Sequence, residues 1–356
     1  MKIYASYKDY HEPLDAFVSI VFDTSKTCYH SLNIADQRVQ LVSSSKLLLD
    51  VLLPAIAHLS CDEVPADPEF TLYLLDLSQL PGRAAKLPAI PWEPLLRRGH
   101  RGILVDGLYM QFVHIESTGV RILSAFDEHT KEAYYIVSDA EKLPWYISGA
   151  PMHEILYWWV RSIGMHILHG GVIGDKRNGI ALLGAKGAGK STTVLTCLEN
   201  GFHYISEDYC IVTNDDQPIA YSLYNAAKFT NYTFERFPHL ASYKKNNGSA
   251  GGKYLVYYND IYPDKMLYKL PLLAFVSLNL QKDLPSSLSH LDVNRSFLDM
   301  IASTTLQNPN YELTSTDFFQ CLKSKIPAYE LTFGSDQRKT QTLLSDLVKG
   351  LETNLA

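Results

Sequence analysis

The chain has 356 residues, 46% of them hydrophobic and 12% aromatic, which is enough apolar material for one large domain or two of ordinary size and too much for a disordered chain. Its formal net charge of -6 supplies no global basic field of the kind that draws proteins to nucleic acid, so no nucleic-acid partner is expected. The opening segment "MKIYASYKDYHEPLDAF" sets charged residues where a signal peptide carries its apolar run; export by that route is not expected, and the mature protein is expected to begin near Met1.

Residues 1 to about 150 read as a strand-rich region: "FVSIVF", "EFTLYLLDL", "GILVDGLYMQFVHIES" and "EAYYIVS" are β-branched or aromatic runs punctuated by Gly, Pro and Asp. Between them "LPGRAAKLPAIPWEPLLRRGHRG" is too dense in Pro and Gly for regular structure and predicts a long surface loop. Its "LLRRGHRG" is either a docking patch for an acidic peptide or an ordinary solvated loop. The longest apolar stretch, "EILYWWVRSIGMHIL", is interrupted by Arg161 and His166 and is shorter than the roughly 20 residues of a membrane span. It predicts a buried helix over about 152–167 and no membrane partner. Five widely spaced cysteines, Cys28, Cys61, Cys197, Cys210 and Cys321, form no C-x-x-C and no zinc spacing, which fits a reduced, cytoplasmic protein without structural metal.

From Pro151 the pattern becomes an alternation of strand, turn, strand, loop, helix and strand. "GDKRNG" predicts a hairpin turn in which Gly174, Asp175, Asn178 and Gly179 tolerate positive φ. "NNGSAGGK" (246–253) is flexible by composition, "PLLAFVSLNL" predicts a buried strand, and "DQRKTQTLLSDLVKGLE" an amphipathic closing helix.

The strongest chemical signal is "GAKGAGKSTT" (184–193), which fits the phosphate-loop (Walker A) pattern; "IALL" leads into it as a short strand, and "TTVLTCLEN" leaves it as a helix capped by Gly201. Gly184, Gly187 and Gly189 let the backbone curl so that successive amides, with those of Ala185, Lys186 and Ala188, face one anion at a helix N-terminus. Lys190 supplies a mobile charge for the β- and γ-phosphates, the Ser191 hydroxyl a ligand for Mg²⁺, and Thr192 a further phosphate contact. Glu207 and Asp208 in "ISEDYCIV" arrive after only one short helix. That spacing could put one carboxylate on Mg²⁺ and leave the other beside an attacking hydroxyl; a surface acidic turn is the plainer alternative. His169 in "LHGG" precedes the loop by one hairpin; if its strand pairs beside "IALL", the imidazole could reach the phosphates or the acidic pair, and otherwise it is a packing residue.

Taken together, "HGG...GAKGAGKST...ISED" resembles the kinase domain of HPr kinase/phosphorylase, a fold shared with phosphoenolpyruvate carboxykinase. "YSLYNAAKF", "GKYLVYYNDIYPDKMLYKLPLLAFVSL" and "IPAYELTFGSDQRKTQTLLSDL" look closer to HPr-kinase-related kinases of ribosomal peptides, notably the lasso-peptide kinases. The resemblance spans about residues 151–350 and implies an α/β fold: a C-terminal phosphate-loop kinase domain of the HPr kinase/phosphoenolpyruvate carboxykinase type (151–356) after a strand-rich α+β N-terminal region (1–150) that recruits substrate or covers the core. It implies that Lys190 and Ser191 serve ATP and Mg²⁺, that Glu207 and Asp208 divide the roles of general base and metal ligand, with Asp208 joining Ser191 on the metal, and that His169 orients the pair. Lys228 and Lys253 become candidate phosphate or substrate contacts.

Two departures stand out: the pair is Glu-Asp where the family has Asp-Asp, and the bifunctional enzyme's C-terminal signature and N-terminal domain are missing. The expected function is therefore an ATP- and Mg²⁺-dependent kinase acting on a hydroxyl, serine foremost, of a peptide or small protein. The alternatives are a kinase of a small metabolite, such as free serine or a sugar, and a nucleotide-responsive binding module without catalysis. The oligomeric state stays open, a homo-oligomer included.

Overall fold

The computed structural model describes residues 6–62, 66–80, 88–92, 95, 102–185, 187–245, 252–281, 284–304, 313–334 and 337–353. Lys186, the stretch 246–251 and most of the loop expected across 80–102, with residues 96–101 of its "LLRRGHRG" patch, lie outside the described residues. The architecture is mixed α/β with several sheets, and the chain divides into two compact units, Met1–Ile163 and Gly164–Ala356. Among the described residues no helix is long and apolar enough to cross a membrane.

The first unit opens with helix α1 (Tyr7–Thr24), which contains "FVSIVF" and so overturns the strand expected there. The Asp9 carboxylate accepts from the Ser6 amide at 2.6 Å and the Ser6 hydroxyl at 2.8 Å, tying down the helix start. Tyr10, Leu14, Phe17, Val18 and Val21 are buried at three- and four-residue spacing, so the helical period of the wider segment overrides the β-preference of its β-branched run.

Strands β1 (Cys28–Ile34) and β2 (Gln37–Ser43), helix α2 (Lys46–Leu52), and strands β3 (Phe70–Asp76), β4 (Gly102–Val105), β5 (Leu108–Ile115), β6 (Val120–Asp127) and β7 (Glu132–Val137) follow. They make one sheet in the order β1-β2-β3-β7-β6-β5-β4, parallel across β2-β3-β7 and antiparallel elsewhere. Successive strand side chains point to opposite faces. Leu75, Leu123 and Ile136 accordingly pack with α1, while Phe70 and Phe126 meet on the other face. Two short helices close the unit, α3 (Trp145–Ser148) and α4 (His153–Ser162). Trp159 of α4 stacks on Phe70 with 4.6 Å between ring centroids and 9° between planes. Helix α4 is thus part of the first unit's core, although its sequence reads as the start of the second region. It is also shorter than the expected 152–167, because Gly164 takes a φ of +79° and His166 already begins a strand.

The second unit runs through β8 (His166–His169), β9 (Gly171–Gly174), β10 (Gly179–Leu183), helix α5 (Lys190–Glu199), β11 (His203–Ser206), β12 (Tyr209–Val212) and β13 (Ile219–Ser222). A two-stranded ribbon follows, β14 (Ala226–Thr230) and β15 (Lys253–Tyr257), with helix α6 (Asn231–Arg236) after its first strand and α7 (Tyr258–Ile261) after its second. The remainder is β16 (Lys269–Leu280), β17 (Ser287–His290), α8 (Val293–Thr304), α9 (Leu313–Leu322), β18 (Ala328–Phe333) and the closing helix α10 (Gln337–Thr353).

The buried strand expected from "PLLAFVSLNL" is β16, the axis of a nine-stranded sheet, with β10 and β18 parallel to it and β13 antiparallel to its first residues. A strand covered on both faces carries a continuous apolar run rather than an alternating one. Val276 packs with Val194 and Leu195 of α5 and Leu344 of α10, while Phe275 packs with Met300 of α8 and Phe319 of α9.

Two local expectations change. The β9–β10 hairpin forms, yet none of Gly174, Asp175, Asn178 and Gly179 takes a positive φ. Asp175 Oδ1 instead accepts from the amides of Arg177 and Asn178, each at 2.7 Å, and Gly174 is required because a Cβ there would meet the Asn178 carbonyl oxygen at 2.0 Å. Strand β8, which carries His169, pairs not beside β10 but antiparallel to β12, with His169 opposite Tyr209.

Candidate functional site

The loop joining β10 to α5 is shaped by its glycines. Gly184, Gly187 and Gly189 have φ of +152°, +88° and +95°, a region that L side chains rarely adopt. At Gly189 a Cβ would also come within 2.7 Å of the Phe333 ring, so the residue is fixed by conformation and by contact together. The turn is closed by the Ala188 amide donating to the Ala185 carbonyl at 3.0 Å. A backbone curl of this kind, running into a helix N-terminus, gathers amide N–H groups and favours an anion.

Lys190 and Ser191 begin α5. The Lys190 ammonium donates to the Gly184 carbonyl at 2.6 Å, and burial pulls its pKa below the usual lysine range against the opposing charges of Glu207 and Asp208. The Ser191 hydroxyl donates to Glu207 Oε1.

Glu207 and Asp208 occupy the bend between β11 and β12, and the bend is clamped onto the "HGG" segment. The Gly170 amide donates to the Asp208 carbonyl at 3.0 Å; the Ser206 hydroxyl donates to the Gly170 carbonyl at 2.8 Å and accepts from the Val172 amide at 3.1 Å. Gly171 lets this hairpin lie against α5, since a Cβ there would approach Val194 Cγ2 at 2.9 Å. The glycines beside His169 thus bring the acidic bend up to the glycine-rich loop.

The two carboxyls have different surroundings. Glu207 is 7% exposed; its burial and then the neighbouring Asp208 charge push its pKa up to about 7, against the Ser191 hydroxyl and the charges of Lys190 and Lys228. The Asp208 side chain is 29% exposed, with Oδ1 2.8 Å from His169 Nε2 and Oδ2 3.6 Å from Lys228 Nζ. His169 is held by its amide donating to Thr304 Oγ1 at 3.1 Å and by its ring tilting against that of Tyr209 at 5.1 Å. Against an ionised carboxylate, which can only accept, Nε2 would be the donor of this contact.

These groups line one cleft of about 930 Å³. Ala185, Gly187, Gly189, Lys190, Ser191 and Thr192 line it from the loop and the start of α5. His169, Glu207 and Asp208 line it too, and Lys228 and Lys253 come from the ribbon. Gly184 and Ala188 shape the loop from behind, and Lys186 lies outside the described residues. The structure therefore gathers the predicted residues that it describes. It adds some that sequence reasoning missed: Phe333 over the loop, Thr304 behind His169, and Tyr232 with Arg236 on α6. An aromatic and a cation four residues apart just after "NAAKF" was a readable signal for the last pair; Thr304 carried none.

Oxygen ligands suit Mg²⁺, and the Ser191 hydroxyl with the Glu207 carboxylate forms such a set. Among the described residues no group of three or more His, Cys, Asp or Glu side chains is gathered for a metal. Mg²⁺ needs no such group, being carried as a rule by one or two carboxylates together with phosphate oxygens.

No family model matches the chain, and neither does any curated protein. Among solved structures the chain is similar to the Hpr(Ser) kinase/phosphatase from Coxiella burnetii, at 11% identity over 52% of this chain and 99% of that chain, with a TM-score of 0.30.

Proposed function

We propose that this chain is an ATP- and Mg²⁺-dependent kinase that transfers the γ-phosphate to a hydroxyl, serine foremost, of a peptide or small protein, in the manner of the HPr-kinase-like peptide kinases. One observation carries the reading: a glycine-built anion cradle with Lys190 and Ser191 shares its cleft with a His169–Asp208 pair at 2.8 Å. A cradle alone binds phosphate, whereas a cradle with an oriented, half-exposed carboxylate at its end can activate an acceptor.

In this reading the loop amides and Lys190 hold the triphosphate, which requires Lys190 to leave the Gly184 carbonyl. Ser191 and Glu207 are the groups that would hold Mg²⁺, which supplies charge neutralisation at the phosphates. Asp208, oriented by His169, accepts the proton of the acceptor hydroxyl while that oxygen bonds to the γ-phosphorus and the bond to the β-phosphate breaks. This assigns the metal side to Glu207 and the base to Asp208, refining the sequence-based division, in which Asp208 served the metal. The exposed side of Asp208 leaves room for an acceptor approaching from solvent, which favours a peptide over an enclosed metabolite.

Transfer from labelled ATP to candidate serine peptides, with Lys190→Ala and Asp208→Asn as controls, tests the reading. Tight ATP binding with no transfer to any acceptor would sink it and leave a nucleotide-responsive binding module.

A further inference from the structure

The ribbon that follows the acidic bend has two unlike faces. Ala227, Phe229 and Val256 are buried in the core shared with α5. Residues two apart on a strand share a face, and directly paired residues of neighbouring strands do too. Lys228 and Thr230 on β14 are two apart, and Thr230 is paired with Lys253 of β15, so both lysines stand on the opposite face, the one that lines the cleft. Helix α6 prolongs that wall. Tyr232 and Arg236, four apart and therefore on one helical face, both line the cleft, with the Arg236 guanidinium donating to the Tyr232 hydroxyl at 3.1 Å. Tyr232 is 60% exposed although it sits in a cleft.

We propose that this wall is the acceptor subsite and that it takes an acidic peptide, one whose phosphorylated serine is flanked by Asp or Glu. The position follows from Lys228, whose ammonium is 3.6 Å from Asp208: a hydroxyl brought to Asp208 places its neighbours along the row Lys228, Lys253, Arg236. The charge follows from the row itself, three cations on one wall. Among the described residues the acidic side chains that line the cleft are Glu207 and Asp208. The exposed ring of Tyr232 offers an apolar body with a polar tip to the peptide backbone. Ion pairs at this degree of exposure contribute up to roughly fivefold in affinity each, so the wall selects by charge rather than by tight binding.

The inference rests on the kinase reading, so its test reads binding instead of transfer. Fluorescent, C-terminally amidated serine peptides with acidic, neutral or lysine flanks are titrated into the full chain loaded with Mg²⁺ and a non-hydrolysable ATP analogue. The acidic peptide is expected to bind about tenfold tighter than the neutral one, with the difference shrinking as salt is raised. Arg236→Glu should remove most of that preference and improve binding of the lysine-flanked peptide, while affinity for a fluorescent ATP analogue stays within about twofold; adding Lys253→Glu should deepen the peptide loss. Equal binding of acidic and neutral peptides overturns the proposal. So does a loss of nucleotide affinity in Arg236→Glu as large as the loss of peptide, which would give the wall to ATP. Displacement of the acidic peptide by millimolar free serine would overturn the peptide assignment in favour of a small hydroxy acid. Charge-selective binding without phosphate transfer would sink the kinase reading alone.

Discussion

His169 Nε2 and Asp208 Oδ1 stand 2.8 Å apart on the two sides of a backbone clamp, in which the amide of Gly170 donates to the Asp208 carbonyl at 3.0 Å. Side chain and main chain thus fix the same carboxylate from one neighbouring segment. If Asp208 is the general base of the proposed function, a base positioned in this way is expected to be worth about 10²–10⁴-fold in rate. Asp208→Asn should lower kcat by that amount and leave binding of a fluorescent ATP analogue nearly unchanged. An equal loss of both would move Asp208 to the nucleotide.

In the proposed function His169 acts through Asp208 and is a positioning residue. His169→Phe keeps a ring against Tyr209 and removes the donor, and should cost about 10–100-fold in kcat at unchanged ATP affinity, as outer-shell partners do. His169→Gln restores an N–H donor and should recover part of the loss. Stopped-time phosphate transfer on both variants checks this; identical rates for Phe and Gln would show that the ring only packs.

The second unit was legible where chemistry dictates residue type. The glycines of the loop, the lysine and serine that follow, and the close acidic pair are each demanded by a specific backbone or charge requirement, and the structure gathers them in one cleft. What the sequence misled on was pairing and period. His169 reaches the acidic bend because β8 pairs with β12, a long-range choice that nothing local encodes. "FVSIVF" reads as a strand by residue type, but its helical stripe needs Tyr10 and Leu14 upstream and the Ser6–Asp9 contact to be seen. Helix α4 reads with the second unit by position, and its stacking on Phe70 and Tyr109 assigns it to the first. Arg236 was readable from its spacing to Tyr232 but its place was not: it joins Lys253 at the cleft through a ribbon whose strands are far apart in sequence.

Lys190 should be separable from the acidic pair. Its ammonium already leans on the Gly184 carbonyl, inside the curl where a phosphate would sit. Lys190→Ala should weaken binding of a fluorescent ATP analogue by about 10–100-fold, the range for a charged hydrogen bond lost at a partly buried site. The thermal midpoint without nucleotide should barely move, since the contact replaced is one partly buried hydrogen bond. Unaltered nucleotide affinity would remove this loop from the proposed function.

Glu207 gives a pH signature in the metal-free protein. Its folded pKa, about 7, lies above the ordinary glutamate value of 4.5. The folded state therefore binds more protons than the unfolded one between these values, and this group's contribution favours folding below about pH 4.5 and is lost as pH rises through about 7. Glu207→Gln keeps an acceptor for Ser191 and cannot ionise. Measured by urea unfolding in chelator, the variant should gain on the parent chain by roughly 1–3 kcal/mol on going from pH 5 to pH 8. A difference that stays flat across this range would show that Glu207 titrates as an ordinary carboxyl.

Gly189 and Gly201 share nearly the same φ, +95° and +94°, but not the same surroundings. Around Gly201 nothing lies within 4 Å of an added Cβ, whereas at Gly189 the Phe333 ring is 2.7 Å away. Gly201→Ala should therefore cost only the conformational strain, about 1 kcal/mol, and leave nucleotide binding intact. Gly189→Ala adds a collision to the same strain. Relief requires Phe333 or the loop to move, so the variant should lose about 2–3 kcal/mol and most of its ATP affinity together. Chemical denaturation and nucleotide titration on the two variants separate strain from shape: equal stability losses with equal ATP affinities would mean that Phe333 yields freely and that the loop is not held in one form.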